Sequence, residues 1–213
     1  MNITQKNEAH IFPLFSKVVY VKQTNINCEK ILHLTNEQNM VSGTPSDANK
    51  KHLSLSSKNK KVLDQNKYQD LKKEIMKEFY EYAHHTLHYK NNKFKMTTSW
   101  FTKSDFGQES NYHHHNNCMF SGCLYLNIDD NSGGINFNNF ENLRFKLQAT
   151  KYDVFNCVDY TIIPKTGTII FFPSELNHKI LINTSKLTRI SLAFNFLPIG
   201  KIGDTGDSVA NIK

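Results

Sequence analysis

The chain has 213 residues, a hydrophobic fraction of 38% and a formal net charge of +7 at pH 7. This length and composition predict one folded domain and argue against a disordered chain. No apolar run approaches the roughly 18 residues of a membrane span, and the N-terminus lacks the layout of a secretory signal, so we expect a cytoplasmic protein with no membrane partner.

The positive charge is uneven along the chain. Residues 46–95 hold 12 Lys against 6 Asp and Glu. Such a surface can bind nucleic acid, but 24 of the 26 basic residues are Lys and Asn occurs 25 times. That pairing is typical of A/T-rich genomes, which are common among bacteriophages and reduced bacteria. Against this background the two arginines, Arg144 and Arg189, are notable.

The N-terminal part is predicted to support the core. Alternating residues predict a strand over 11–22, and a short helix follows in "NINCEKILHL", capped by Asn25 or Asn27. Residues 39–60 are polar and predict a loop that covers something. Over 66–89 apolar residues recur at helical spacing and predict an amphipathic helix. The face that we expect to be buried carries Tyr68, Leu71, Ile75, Phe79, Tyr82 and Thr86 or Leu87.

From residue 96 the pattern changes to short runs of period 2 that are bounded by turns. Seven strands are predicted, in "MTTSWFTK", "CMFSGCLYLNI", "GGINFN", "YTIIP", "GTIIFFP", "HKILIN" and "RISLAFNFL". Seven strands with no helix between them indicate an antiparallel sandwich or barrel. We therefore divide the single domain into a supporting part at 1–95, a core at 96–197 and a loose tail at 198–213.

Three histidines in a row form the candidate site. In a strand alternate side chains share a face, so His113 and His115 are expected to point one way and His114 the other. His178 opens a later strand, after "FFPSELN". Three neutral imidazoles suit Fe, Zn, Ni or Cu. A polar loop that happens to be rich in His is the alternative.

The stretches "SWFTKSDFGQESNYHHHNNCMFSGCLYLNIDDNSGGINF", "IIPKTGTIIFFPSELNHKI" and "RISLAFNF" resemble the core of the Fe(II)- and 2-oxoglutarate-dependent oxygenases. They are most similar to a branch found in bacteria and marine phages. The resemblance covers residues 97–197 with four separated motifs in the expected order. It implies a mostly β fold with flanking helices, the double-stranded β-helix or cupin-like jelly roll.

The resemblance also implies roles for single residues. His113 and His178 lie at the positions of two metal ligands. Arg189 matches the arginine that anchors the distal carboxylate of 2-oxoglutarate, a task that suits a planar guanidinium, and Ser191 accompanies it. Tyr125, on the strand after the histidines, is a further candidate for contact with the cosubstrate.

The position of His115 departs from the family, which usually has Asp or Glu there. Either three His hold the metal, or His115 contacts substrate or cosubstrate. A cupin pattern, with Gly107 before the histidines and Gly167 and Pro173 before His178, fits as well, and it implies a three-His dioxygenase without 2-oxoglutarate. That alternative assigns no role to Arg189.

The activity implied by the resemblance is oxidation of a substrate by O₂ with Fe(II) and 2-oxoglutarate, usually hydroxylation, which releases succinate and CO₂. Asn127, on the same strand as Tyr125, is likewise a candidate for contact with the cosubstrate. The substrate class is open between a protein side chain, a metabolite and a nucleic acid, and a homodimer is left open. A non-catalytic barrel, such as a virion-associated binding module, is the remaining alternative.

Overall fold

The structure is a computed structural model that describes residues 13–42, 52–90, 92–139, 147–153, 155–203 and 209–213. Two α-helices, α1 (Cys28–Thr35) and α2 (Gln69–Tyr80), lie in the N-terminal part. Eleven strands are present in the described residues: β1 (Tyr20–Gln23), β2 (Met40–Ser42), β3 (Leu55–Ser57), β4 (Lys93–Ser104), β5 (Phe120–Asn127), β6 (Ile135–Asn138), β7 (Asp159–Ile162), β8 (Thr168–Pro173), β9 (Asn177–Ile180), β10 (Arg189–Ile202) and β11 (Ala210–Ile212).

The strands form two antiparallel sheets. The large sheet has the order β1-β8-β5-β10-β4-β3-β2, with β11 paired to β10, and the small sheet has the order β7-β6-β9. Apolar side chains of β5 and β8 pack against those of β6 and β9 between the sheets. This confirms the predicted jelly roll and all seven predicted core strands.

The helices cover the other face of the large sheet. Asn27 caps α1 through its side-chain oxygen, which accepts a hydrogen bond from the Lys30 backbone nitrogen at 3.0 Å. α2 buries the predicted face, with Phe79 stacked on Phe196 of β10 at 3.8 Å between ring centroids. Helical structure continues from α2 as a π-helical turn at Glu81–Thr86. The predicted helix over 66–89 is therefore confirmed for most of its length.

Three predictions about the periphery are wrong in the described residues. The first strand begins at Tyr20, and Pro13–Val19 lie outside it, because β1 pairs only along Thr168–Phe171 of β8. The segment 39–60 is not all loop, since β2 and β3 pair with each other and β3 pairs with β4. The tail is not all loose, because β10 continues to Ile202 and pairs with β11. Residues 11–12, 43–51 and 204–208 of these predictions lie outside the described residues.

An extended segment that precedes β5 runs antiparallel to β9 and closes the small sheet. His113 and His178 exchange two backbone hydrogen bonds of 2.9 Å each. Ser110 donates from its backbone nitrogen to the Ile180 carbonyl at 3.0 Å, and His115 donates to the Ser174 carbonyl at 3.0 Å. This pairing holds the histidine segment against the strand that carries His178.

In the described residues no helix is long and apolar enough to cross a membrane.

Candidate metal centre

The structure brings three of the predicted site residues together. One ligand nitrogen from each of His113, His115 and His178 lies within 4.8 Å of the others. The ring centroids of His113 and His178 are 4.3 Å apart. His114 is exposed and is not a member of the group, as the strand alternation predicted.

Backbone carbonyls fix the tautomers of two of these rings. His113 Nδ1 lies 2.8 Å from the Asn111 carbonyl, and His178 Nδ1 lies 2.8 Å from the Leu176 carbonyl. A carbonyl oxygen only accepts, so each Nδ1 carries a proton, and Nε2 is the nitrogen of each ring that remains available for a metal. Outer hydrogen bonds of this kind orient histidine ligands in metal sites.

Burial keeps two of the imidazoles neutral. The pKa of His178 is lowered from 6.5 to about 3, mainly by burial and then by the neighbouring His113. The pKa of His115 is lowered to about 4 for the same kinds of reason. Neutral imidazoles are the form that binds metal, so the site is ready for a cation at neutral pH.

The turn that leads to His178 is fixed by a buried hydroxyl network. The Ser121 and Ser174 hydroxyls lie 2.8 Å apart, and Ser121 also donates to the Asn195 side-chain oxygen at 2.8 Å. Asn195 in turn donates to the Thr98 hydroxyl at 2.9 Å. Because the Ser174 carbonyl accepts from the His115 backbone nitrogen, this network supports two of the three histidines at once.

A cavity of about 450 Å³ joins the histidines to Arg189. Arg189 is 2% exposed, and its guanidinium donates to the Ser132 carbonyl at 2.8 Å, the Leu181 carbonyl at 3.2 Å and the Ser104 hydroxyl at 2.7 Å. In the described parts of the chain none of the ion pairs includes Arg189. Burial of an arginine without a carboxylate is costly, so the arrangement favours an anion as its partner.

The remaining predicted cosubstrate residues have different surroundings. Ser191 is buried and lines the cavity. The Tyr125 hydroxyl is buried with no oxygen or nitrogen partner among the described residues, and the Cys123 thiol is close enough to interact with it. Asn127 donates to the Thr188 carbonyl at 2.8 Å and is not among the residues that line the cavity.

Sequence reasoning missed several residues of the cavity wall. Leu53, Ser54 and Ser56 lie there because β3 joins the large sheet beside β4. Glu109 also lines the cavity, and Trp100 lies 5.6 Å from His115 between ring centroids. Their sequence patterns carry no metal or catalytic motif. The one sequence signal for these residues was the expectation that the polar segment 39–60 covers another part of the protein.

Comparison with known proteins finds a matching family model and similar solved structures. Residues 98–195 match the family model described as "Putative 2OG-Fe(II) oxygenase". A search of curated protein sequences found no match. Among solved structures, a Pseudomonas putida prolyl-4-hydroxylase is similar, with 16% identity, a TM-score of 0.55 and coverage of 84% of this chain and 92% of that one.

Two further structures show the same fold. The viral collagen prolyl hydroxylase of Paramecium Bursaria Chlorella virus-1, in complex with 2-oxoglutarate, has 15% identity and a TM-score of 0.52, with 84% and 94% coverage. HygX of Streptomyces hygroscopicus, with nickel, 2-oxoglutarate and hygromycin B bound, has 9% identity and a TM-score of 0.54, with 84% and 82% coverage.

Proposed function

We propose that His113, His115 and His178 hold Fe(II) and that Arg189 binds the distal carboxylate of 2-oxoglutarate, because residues 98–195 match the model of the 2OG-Fe(II) oxygenase family. Fe(II) and 2-oxoglutarate are the cofactor and cosubstrate of this family. When bound, they would allow O₂ to oxidise a C–H bond of the substrate, and succinate and CO₂ would be released. Hydroxylation is the outcome that we propose.

The donor set fits this role. Imidazoles of fixed tautomer suit Fe(II), and the group has no carboxylate ligand among the described residues. A three-His site keeps the full double charge of the cation, whereas a carboxylate would neutralise part of it. The dianionic cosubstrate compensates that charge. Three imidazoles therefore make an anionic cosubstrate more favourable beside the metal.

The other end of the cavity fits the second carboxylate of 2-oxoglutarate. Arg189 contributes a buried, planar donor that lacks an ion-pair partner among the described residues. The Tyr125 hydroxyl, which has no oxygen or nitrogen partner among the described residues, is close enough to Arg189 to interact with its charge. Ser191 lies on the same strand as Arg189. The observation that carries the proposal is this buried guanidinium, which has no carboxylate partner among the described residues and lies in the same cavity as the three histidines.

The test is anaerobic reconstitution with Fe(II), followed by the visible absorption band that appears when 2-oxoglutarate is added. We expect His178→Ala to lose metal binding. Arg189→Met should keep the metal but bind 2-oxoglutarate about a hundredfold more weakly, because a buried charge pair is lost. His114→Ala is the matched control, since its ring is exposed and outside the metal-binding group, and it should behave as wild type.

The same measurement separates the alternatives. Metal binding by the wild type without a band would favour the three-His dioxygenase that does not use 2-oxoglutarate. If the wild type binds no metal, the alternative of a non-catalytic barrel is favoured. His115→Ala should weaken metal binding, whereas His115→Asp should retain it by restoring the usual carboxylate. Unchanged metal affinity in His115→Ala would assign His115 to substrate instead.

A further inference from the structure

A second pocket adjoins the metal cavity across a single indole ring. It has a volume of about 290 Å³ and is lined by Lys60, Thr98 and Trp100. Trp100 also lines the metal cavity and approaches His115 there. The two spaces are therefore neighbours that share one wall. A ligand large enough to occupy both spaces would contact this indole.

The ammonium of Lys60 is held at this shared wall. Its Nζ donates to the Ser56 hydroxyl at 2.7 Å and lies 5.8 Å from the centroid of the Trp100 ring. Ser56 itself lines the metal cavity. The backbone around Lys60 is also fixed, because its carbonyl accepts a 2.8 Å hydrogen bond from the Ser99 backbone nitrogen. The charge is thus positioned before any ligand arrives.

The charge of Lys60 has no carboxylate partner in the part of the chain that the structure describes. Lys22 and Lys72, by contrast, form ion pairs of 2.7 and 2.6 Å with Glu78 and Asp64. Although Lys60 is exposed as a residue, partial desolvation of its ammonium lowers its pKa. A cation that has lost part of its hydration and lacks a counter-ion favours an anionic ligand.

On the basis of the proposed function, we propose that Lys60 and Trp100 form a substrate subsite that takes a carboxylate or phosphate group of a small molecule. The indole face packs against the apolar body of that molecule, and Lys60 donates to its anionic group. The carbon that is oxidised then lies toward the three histidines. The combined size of the two pockets fits a small-molecule ligand.

Trp100 is the single tryptophan of the chain, so its fluorescence reports directly on this subsite. The probes are phenyl phosphate, benzoate and the neutral benzamide, titrated into protein saturated with Zn²⁺ and 2-oxoglutarate. With Arg189 and the metal occupied, binding should occur at Lys60. We expect at least one anion to change the fluorescence saturably and to bind about tenfold or more tightly than benzamide. The stronger of the two anions identifies phosphate or carboxylate as the group.

Lys60→Gln tests the assignment of the charge. It should weaken anion binding about tenfold or more and leave benzamide binding unchanged, and Lys60→Arg should restore most of the affinity. Lys58→Gln is the matched control, because it removes the same charge from a nearby exposed lysine and should bind the anions as wild type does. Anion binding that is insensitive to Lys60→Gln, equally sensitive to Lys58→Gln, or no tighter than benzamide binding overturns the subsite.

The failure of this proposal is distinguishable from the failure of the oxygenase proposal. The fluorescence titration needs no turnover and is repeated on metal-free protein. If wild type shows the band of iron and 2-oxoglutarate while Lys60→Gln binds the probes normally, only the subsite is wrong. If the band is absent while probe binding depends on Lys60, the oxygenase proposal is wrong and the pocket still binds anions.

Discussion

The two faces of the large sheet differ sharply, although the same strands supply both. In β10, Ile190, Leu192 and Phe194 pack toward the helices, whereas Arg189 and Ser191 face the cavity. The helix side is an apolar core, with Phe79 surrounded by other aromatic rings. The cavity side holds three histidines, two of which burial keeps neutral. Among the described residues it also holds an arginine without an ion pair and a tyrosine hydroxyl without an oxygen or nitrogen partner. The helix face buries apolar side chains against one another, whereas the cavity face leaves polar groups without protein partners among the described residues.

The first test of this difference is Phe79→Ala. Its ring is fully buried on the helix side and contacts Phe94, Phe171 and Phe196. We expect a loss of about 3–5 kcal/mol in the free energy of unfolding, because a large cavity opens in a packed core. Denaturant unfolding measures it. Phe106→Ala, at a position that is 71% exposed, should change the stability by less than about 0.5 kcal/mol.

The second test uses pH on metal-free protein. The folded-state pKa of His178 is about 3, against an ordinary value of 6.5, so below pH 6.5 the unfolded chain binds a proton that the folded chain does not. The stability is complete above pH 6.5 and decreases as the pH falls toward 3. At pH 4.5 we expect His178 to account for a loss of about 3 kcal/mol.

Unfolding measured at pH 7 and pH 4.5 checks this expectation. His178→Gln should reduce the pH dependence, and His114→Gln should preserve it, because His114 is exposed. If the stability of His178→Gln depends on pH as strongly as that of the wild type, His178 is not a source of the loss of stability in acid.

The third and smallest test compares two buried tyrosines, one on each face. The Tyr82 hydroxyl donates to the Val18 carbonyl at 2.9 Å, whereas the Tyr125 hydroxyl lacks an oxygen or nitrogen partner among the described residues. Tyr82→Phe should therefore lose about 1 kcal/mol of stability, and Tyr125→Phe should gain about 1 kcal/mol, since an unsatisfied buried hydroxyl is removed.

The gain in Tyr125→Phe should come with weaker binding of 2-oxoglutarate, measured by the same absorption band. If both variants lose stability equally, the Tyr125 hydroxyl has a partner in solution. The expected difference between the two faces of the sheet would then be wrong for Tyr125.

The sequence predicted the parts of the molecule that carry a local pattern. Period-2 alternation located the seven core strands, and helical spacing located the buried face of α2. The site prediction rested on the same alternation, which separated His114 from its two neighbours. Resemblance to the family then selected His178 and Arg189 from the remaining candidates.

The features that were missed depend on partners that are distant in the chain. β2 and β3 have weak patterns of their own, and they become strands because β4 offers a free edge. The tail strand β11 likewise exists through its pairing with β10. Lys60 is one of many lysines in a polar segment, and only the position of Trp100 and Ser56 distinguishes it. Such contacts cannot be obtained from local periodicity.

The backbone pairing of His113 with His178 has a further consequence. These residues come from distant parts of the chain, so the three histidines form one group only when the small sheet has closed. A cation that binds this closed state stabilises it by mass action, by about 2.7 kcal/mol when the free metal is at 100 times its dissociation constant. If the cation is iron, as proposed, we expect the metal-free protein to be degraded faster by a protease than the iron-loaded protein.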